Sequence, residues 1–385
     1  MVDTRSDNGQ ARGGAPSRRR LALWLAPTLI VAAFVGAGIA ISVHSSSAPA
    51  PSRTTTSWTP ATTTTTVPPT VTLSAVGDTE LGNTPGIPSN PRQYLQPIRA
   101  ALAAPIVFGN LEGTLTNATT SKCATTSSEC YAFRVPTTFA SVYRAAGFTV
   151  LNSANNHSHD FGGEGAIDTS EALSAAGIAQ AGLPGQIGVV SDGAVKVAFV
   201  GFAPYTNTND LLNFPAAAQL IAKAKQLANV VVVYMHAGAE GEQADHVTRQ
   251  TETYVGEDRG NPYAFAHAAI NDGADLVIAS GPHVLRGMEW YRGRLIAYSL
   301  GDFVNFENFS AAGDLDLSAI LHVTMSSTGT FVSGRFTSVR LTFGGQPFVD
   351  PTDASAVFVN QLSKEDFGAD AAIIAANGSI ERLAG

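Results

Sequence analysis

Short apolar runs recur between residues 71 and 302, and each gives way to a small or turn-forming residue and then to a group able to bind a cation or move a proton. Val71–Val76 leads to Gly77-Asp78, and Pro105–Phe108 leads to Gly109-Asn110-Leu111-Glu112. Phe148–Leu151 leads to Asn155-Asn156-His157, and Asn229–Met235 leads to His236, then Gly238 and Glu240. Asp275–Ala279 leads to Gly281-Pro282-His283, and Arg294–Leu300 leads to Gly301-Asp302. Apolar runs of this length, rich in β-branched residues, predict buried strands. Between them Gln93–Ala103, Glu164–Ala176, Pro215–Ala228 and Tyr263–Asn271 predict helices, the second stopped by Gly177. Strands alternating with helices predict an α/β layered core. After Asp302, Leu315–Met325 and Phe331–Leu341 predict an antiparallel pair turned at Ser326–Gly329, so 307–385 is expected to close the same core as a β-rich segment.

The first 70 residues have another texture. Met1–Arg20 carries five Arg against two Asp, and Leu21–Val43 then runs 23 residues without a charge. That length crosses a bilayer core, and the charge before it places the N-terminus in the cytoplasm. A cleaved leader usually has an apolar core of about 7–15 residues. Ser17-Arg18-Arg19-Arg20-Leu21 also resembles a twin-arginine export signal, and Ser47-Ala48-Pro49-Ala50 offers small residues for cleavage. The length of the span favours an uncleaved anchor, and on every alternative the remainder is exported. Residues 44–70, mostly Ser, Thr, Pro and Ala, cannot bury enough apolar surface to fold and predict a tether. The expected order is a cytoplasmic segment 1–20, a transmembrane anchor 21–43, a linker 44–70 and one extracytoplasmic domain 71–385 at the cell membrane.

Charge narrows the partners. Setting aside the six Arg before residue 71 leaves 17 basic residues, and setting aside Asp3 and Asp7 leaves 29 acidic ones, so the domain is near −12. Nucleic acid is excluded, since nothing supplies the basic footprint that phosphate backbones require. Cys123 and Cys130 are the only cysteines, close together in a polar loop, and an exported compartment favours a local disulfide over a metal pair.

Each polar strand end taken alone has an ordinary explanation. Gly-Asp after a strand is commonly a turn, an Asn-rich stretch closes a loop by itself, and a lone His is usually a hydrogen-bonded structural residue. Six such endings on successive strands point instead to one site at the carboxyl ends of an α/β sheet. Mixed His, Asn and carboxylate donors suit a divalent ion such as manganese, iron or zinc.

Several motifs then carry a resemblance. They are Val76-Gly77-Asp78, Asn110-Leu111-Glu112, Ala154-Asn155-Asn156-His157 with Asp160 and Gly162, His236-Ala237-Gly238-Ala239-Glu240, Pro282-His283-Val284 and Tyr298-Ser299-Leu300-Gly301-Asp302-Phe303. In this order they resemble the CapA-type poly-gamma-glutamate capsule-synthesis family, within the calcineurin-like metallophosphoesterase superfamily. The resemblance implies two packed mixed β-sheets flanked by helices. It implies that Asp78 holds one metal ion, that Glu112 bridges two, that Asn156 and His236 hold the second, and that His283 completes the first. His157 would be the general acid, a role suited to a group titrating near neutrality. Asn110, Asp160, Glu240 and Asp302 would orient the ligands. Departures from the pattern are Glu80, where the superfamily places a His, Gly281 in place of another His, and Asp302 where relatives often have Asn. Glu80 is therefore a candidate replacement ligand, and the centre holds one or two ions.

The resemblance implies a metal-dependent, phosphoesterase-like hydrolase or transferase of envelope-polymer synthesis. Its expected partners are an anionic cell-envelope polymer or its precursor, the membrane, and a membrane complex of polymer synthesis. The alternative is a non-catalytic factor that uses a remodelled site to hold an anionic polymer during export or anchoring. His44, His159, His246, His267 and His322 read as structural or exposed. Arg286 and Arg292 are candidates for neutralising an anionic substrate, with an exposed salt bridge as the alternative.

Overall fold

The structure is a computed structural model and describes residues 67–123 and 130–383. The expected cytoplasmic segment, the membrane anchor and the linker up to residue 66 lie outside the described residues. Among the described residues no helix is long and apolar enough to cross a membrane.

Two mixed sheets form the core. One runs in the order Pro347–Val349, Phe331–Leu341, Leu317–Ser326, Thr70–Glu80, Ile106–Leu111, Val150–Asn152, Ala179–Ala181, with Asp302–Asn305 also pairing to Thr70–Glu80. The other runs in the order Met288–Tyr291, Arg294–Ala297, Leu276–Ser280, Val230–His236, Val195–Phe202, Gly188–Asp192. Side chains alternate across a strand, and Val230–His236 shows what that does here. Val230, Val232 and Tyr234 join Leu73, Phe108 and Val150 of the first sheet in a core between the sheets. Val231, Val233 and Met235 pack the other way, with Ile221 and Ala224 of helix Phe214–Leu227 and Phe265 of helix Pro262–Asn271. The outer face of the first sheet buries Val76, Val107 and Leu151 with Tyr143 of helix Ala140–Ala146 and Leu173 of helix Gly162–Ala175. The result is helices, sheet, sheet, helices. Each fully buried Val or Leu in these layers contributes roughly 1.5–3 kcal/mol of transfer free energy.

The expected alternation of strands and helices is present, with three differences. Gln93–Ala103 is not one helix but two single turns, Pro91–Tyr94 and Arg99–Leu102, with Pro97 between them, where a helix interior would lose a hydrogen bond. Strands Gly188–Asp192 and Val195–Phe202 went unread because neither run leads to a residue of evident chemistry. The closing segment is β-rich as expected, but it also contains helix Ala354–Phe367.

One crossing determines where the site forms. Strand Thr70–Glu80 pairs with Leu317–Ser326 only as far as Ala75, and from Asp78 onward it pairs in parallel with Asp302–Asn305, in register Asp78 to Asp302. A side chain at Gly77 would lie 1.8 Å from the Gly301 carbonyl oxygen, so only glycine allows the two chains to meet there. The Asp78 N–H donates to that same oxygen at 3.0 Å.

Candidate metal centre

The carboxyl ends of the inner strands of both sheets converge. One donor atom from each of Asp78, Glu112, His283 and Asp302 lies within 4.8 Å of the others, and all four residues are buried. His236 stands against the same group, its Nδ1 3.7 Å from Asp78 Oδ1 and its Nε2 3.7 Å from Glu112 Oε1. Asp302 was expected only to orient ligands, and the geometry makes it one of the four clustered donors.

The Asp78 side of this group is tightly held. Asp78 Oδ1 accepts from the Ser280 hydroxyl and from Asn110 Nδ2 at 2.7 Å, and Oδ2 accepts from the Gly281 N–H at 3.1 Å. Asn110 is itself fixed, its Oδ1 accepting from Asn152 Nδ2 at 2.7 Å and Asn155 Nδ2 at 3.0 Å. Tyr234 hydrogen-bonds Ser280 from below. His283 Nδ1 meets Asp302 Oδ1 at 2.7 Å, and Asn305 donates to the other Asp302 oxygen at 2.8 Å. His283 has φ +59°, a left-handed conformation uncommon for a residue with a side chain. Gly281 sits where a second imidazole was looked for. A Cβ there would come within 3.2 Å of the His236 ring, so the chain uses this position for its N–H and not for a side chain.

The Glu112 side is the opposite. Both carboxylate oxygens of Glu112, His236 Nε2 and Asn156 Oδ1 are buried and have no hydrogen-bond partner among the described residues. Buried polar groups are nearly always paired, and an orphan costs about 1–3 kcal/mol. Carboxylate oxygens and an imidazole nitrogen left open 3.7 Å apart, with an unpartnered amide oxygen on the loop before His157, are donors that suit a divalent cation, so the residues present fit one.

The charges agree with that fit. Burial, opposed by the charge of His283 and reinforced by Asp302, raises Asp78 to about 6. Burial and the neighbouring Asp78 hold Glu112 well above the ordinary carboxylate range. Burial and then the Arg259 charge hold His236 well below its usual value, so its ring is neutral, as a metal ligand requires. Burial acts against a charged His283, but Asp302 and Glu112 outweigh it and push the group well up.

His157 lies on the loop between Val150–Asn152 and helix Gly162–Ala175. Its N–H donates to Asn155 Oδ1 at 3.0 Å, and its Nδ1 is 2.8 Å from Asp160 Oδ2. Asp160 is an acceptor here, because it also receives the Phe133 N–H at 2.6 Å and Lys122 Nζ at 2.7 Å. Nδ1 therefore carries the proton, and Nε2 is left for a substrate. Burial pulls the ring below its ordinary value against the pull of Asp160, so at rest it is neutral. Phe133 packs at a tilt against His157 at 4.5 Å, Phe309 stacks over His283 at 4.5 Å, and the two phenyl rings meet edge-on at 5.3 Å. This pair forms an apolar wall joining the two histidines.

Other residues fall elsewhere. Glu80 is buried and raised well above its usual value by that burial, but it accepts from Asn308 and is not among the four clustered donors. Glu240 has Oε2 3.8 Å from His283 Nε2 and Oε1 paired with Arg259. Arg286 is neither exposed nor free, since it is 1% exposed and paired with Glu252 at 2.7 Å. Arg292 stacks on Tyr291. His246 pairs with Asp366, His267 with Glu289, and His322 meets the Ala101 carbonyl, all structural contacts. His159 is half-buried beside Ser158, and His44 lies outside the described residues. Cys123 and Cys130 are joined, with Cα atoms 5.6 Å apart. Sequence reasoning missed Lys122, Ser280, Phe309 and Arg259, and only Ser280, at a strand end beside Gly281, gave a readable signal.

Residues 72–307 match the family described as bacterial capsule synthesis protein PGA_cap. The chain is 30% identical over 263 residues to the PGA biosynthesis protein CapA of Bacillus subtilis (strain 168), covering 63% of this chain and 62% of that protein. It is 30% identical over 209 residues to the capsule biosynthesis protein CapA of Bacillus anthracis, covering 49% and 47%. The matches thus span less than two thirds of either relative. Among solved structures, a 5'-nucleotidase precursor from Thermus thermophilus aligns over 76% of this chain and 58% of its own, with 13% identity and a TM-score of 0.37. Since the matched stretch is more than half of the chain, the protein belongs to the bacterial capsule synthesis PGA_cap family.

Proposed function

We propose that the domain is a metal-dependent, phosphoesterase-like hydrolase or transferase acting on an anionic envelope polymer or its precursor in capsule synthesis, anchored outside the membrane by residues 21–43. The observation that carries this reading is the set of buried, unpartnered donors on Glu112, His236 and Asn156 beside the firmly held Asp78, His283 and Asp302. Asp78, Glu112, His283, Asp302, His236 and Asn156 would hold one or two divalent ions. When bound, such an ion supplies Lewis acidity to a phosphoryl group. Asn110, Ser280 and the Gly281 N–H fix the Asp78 carboxylate, so its aim does not depend on the ion. Asp160 holds His157 in the tautomer that presents Nε2, and Lys122 offsets the Asp160 charge. From Nε2 a proton is moved to or from a reacting oxygen. Phe133 and Phe309 keep water away from that face.

A second reading, a non-catalytic factor that binds an anionic polymer through its metal centre, draws support from Gly281, where a ligand imidazole is absent and any side chain would be crowded and strained. One experiment separates the two. The purified chain is assayed for bound metal and for hydrolysis of an aryl phosphate, alongside His157→Ala. Metal with turnover that the variant loses supports catalysis, metal without turnover on any phosphoester supports the binding factor, and no metal under any loading condition would falsify both.

A further inference from the structure

We propose that Arg259 offers a two-pronged binding site for one acidic group of the substrate, a carboxylate or a phosphoryl group, on the flank of the candidate metal centre. Arg259 follows the small hairpin Thr253–Tyr254 and Glu257–Asp258, and its side chain is 1% exposed. Its backbone is fixed on both sides. The Arg259 N–H donates to the Glu252 carbonyl at 2.9 Å, and the Gly238 N–H donates to the Arg259 carbonyl at 3.0 Å. Of the guanidinium nitrogens, Nη1 pairs with Glu240, while Nε and Nη2 have no partner among the described residues. A buried guanidinium with two open nitrogens is costly, and groups left open in this way call for a ligand.

The open pair is chemically specific. Nε–H and one Nη2–H project from a single edge of the planar group, at the spacing of two oxygens of a carboxylate or phosphoryl group. The guanidinium is joined to the centre through its paired nitrogen. Glu240, which holds Nη1, has its other oxygen 3.8 Å from His283 Nε2. The Arg259 charge is felt at His236, where it lowers the ring, and Glu112 in turn stabilises the charged guanidinium. The rings of Tyr205 and Tyr254 each lie 6.0 Å from the guanidinium carbon, lowering the local polarity and strengthening any ion pair formed there. Glu240 and Tyr254, which neighbour Arg259, line an open groove of about 590 Å³ on this flank, room enough for a segment of polymer. Arg286, the more conspicuous arginine in the sequence, also borders the groove, but Glu252 occupies it fully.

This inference rests on the proposed function only for the neighbourhood it assigns to the anion, and its test needs no turnover. The full chain, Arg259→Lys and Arg259→Gln are titrated by calorimetry with inorganic phosphate and, separately, with a γ-linked glutamate oligomer. Each titration is run with manganese and with chelator, and metal content and the thermal midpoint are recorded. Lysine keeps the charge but loses the fork. The expected result is that one probe binds the wild type and binds Arg259→Lys about 10- to 100-fold more weakly, with metal content unchanged. Phosphate as that probe identifies a phosphoryl group, and the oligomer identifies a carboxylate. Equal affinity in Arg259→Lys, or no binding of either probe to the wild type, overturns the proposal. If both variants unfold, the wild-type arginine Nε–H resonance decides, since a probe seated on the edge shifts it and an unchanged resonance overturns the proposal. Loss of metal with anion binding retained would count against the metal centre and leave this site standing.

Discussion

The two sides of the centre are built on opposite terms. On one side the donors are held within the chain, Asp78 by Ser280, Asn110 and Gly281, and His283 by Asp302. On the other side Glu112, His236 and Asn156 point buried polar atoms at no protein partner. A fold selected for stability alone would pair or replace these groups, because they are expensive to bury. The difference separates the side that folding finishes from the side that, on the proposed reading, a ligand would complete. Rigid donors next to unanswered ones form a site that is pre-shaped but incomplete.

Removing an unanswered donor tests this most severely. Glu112→Gln and His236→Ala are each expected to reduce bound metal, measured by elemental mass spectrometry, to background and to abolish aryl phosphate hydrolysis. Next, His157→Ala is expected to retain metal and lose about 10²–10⁴-fold in turnover. The pH profile then shows the direction of proton movement. A ring lowered by burial is neutral at rest, so catalysis by the neutral ring rises with pH through its lowered value. Catalysis by the protonated ring, the acid role expected from the motif, falls over the same interval. On the answered side, Asn110→Ala loosens the Asp78 carboxylate without removing a donor and is expected to weaken metal affinity about 10- to 100-fold.

Stability without metal should invert the order. In chelator, Glu112→Gln is expected to stabilise the chain in denaturant titrations wherever Glu112 would otherwise ionise, since it removes a buried charge. The sign with pH follows from linkage. The folded-state value of Glu112 lies above the unfolded one, so the native state holds a proton that the unfolded chain releases, and stability falls as pH rises through that interval. The gain from Glu112→Gln therefore grows as pH rises above the ordinary carboxylate range, and a gain independent of pH would undo this account. Asp350 supplies the contrasting case. Its carboxylate accepts from Thr352 and from the Ala354 N–H at the start of helix Ala354–Phe367, which outweighs burial and lowers its value. That stability is present above the unfolded carboxylate value and is lost as pH falls through the folded one. Asp350→Asn keeps the acceptor but loses the charge near the helix start, so it is expected to cost up to about 1 kcal/mol at neutral pH and progressively less as pH falls below the ordinary carboxylate value.

Much of this was legible because the chain writes its chemistry at strand ends. Val76-Gly77-Asp78, Met235-His236 and Ala279-Ser280-Gly281-Pro282-His283 each signal a strand and its polar terminus in a few residues. The closing hairpin was equally plain, with Leu317–Ser326 and Phe331–Leu341 turning where expected. Glu80 and Asp302 were harder, because spacing cannot say which of two carboxylates faces the centre. The answer depends on the parallel register of Asp78 with Asp302 and on Asn308 drawing Glu80 aside. Arg259 was illegible for a different reason. It follows a polar hairpin with no apolar run before it, and only the fold buries it against Glu240.

The Gly77–Gly301 crossing has a consequence for how the protein is made. Asp78, Glu112 and His236 leave the ribosome first, while His283 and Asp302 come from much later in the chain, and the strand Leu317–Ser326 that pairs beside them comes later still. Until that last strand emerges, the early carboxylates have no frame to hold them, and any ion they meet is held loosely and exchangeably. On the proposed reading, metal would therefore be acquired late in biogenesis, in whichever compartment the finished chain folds.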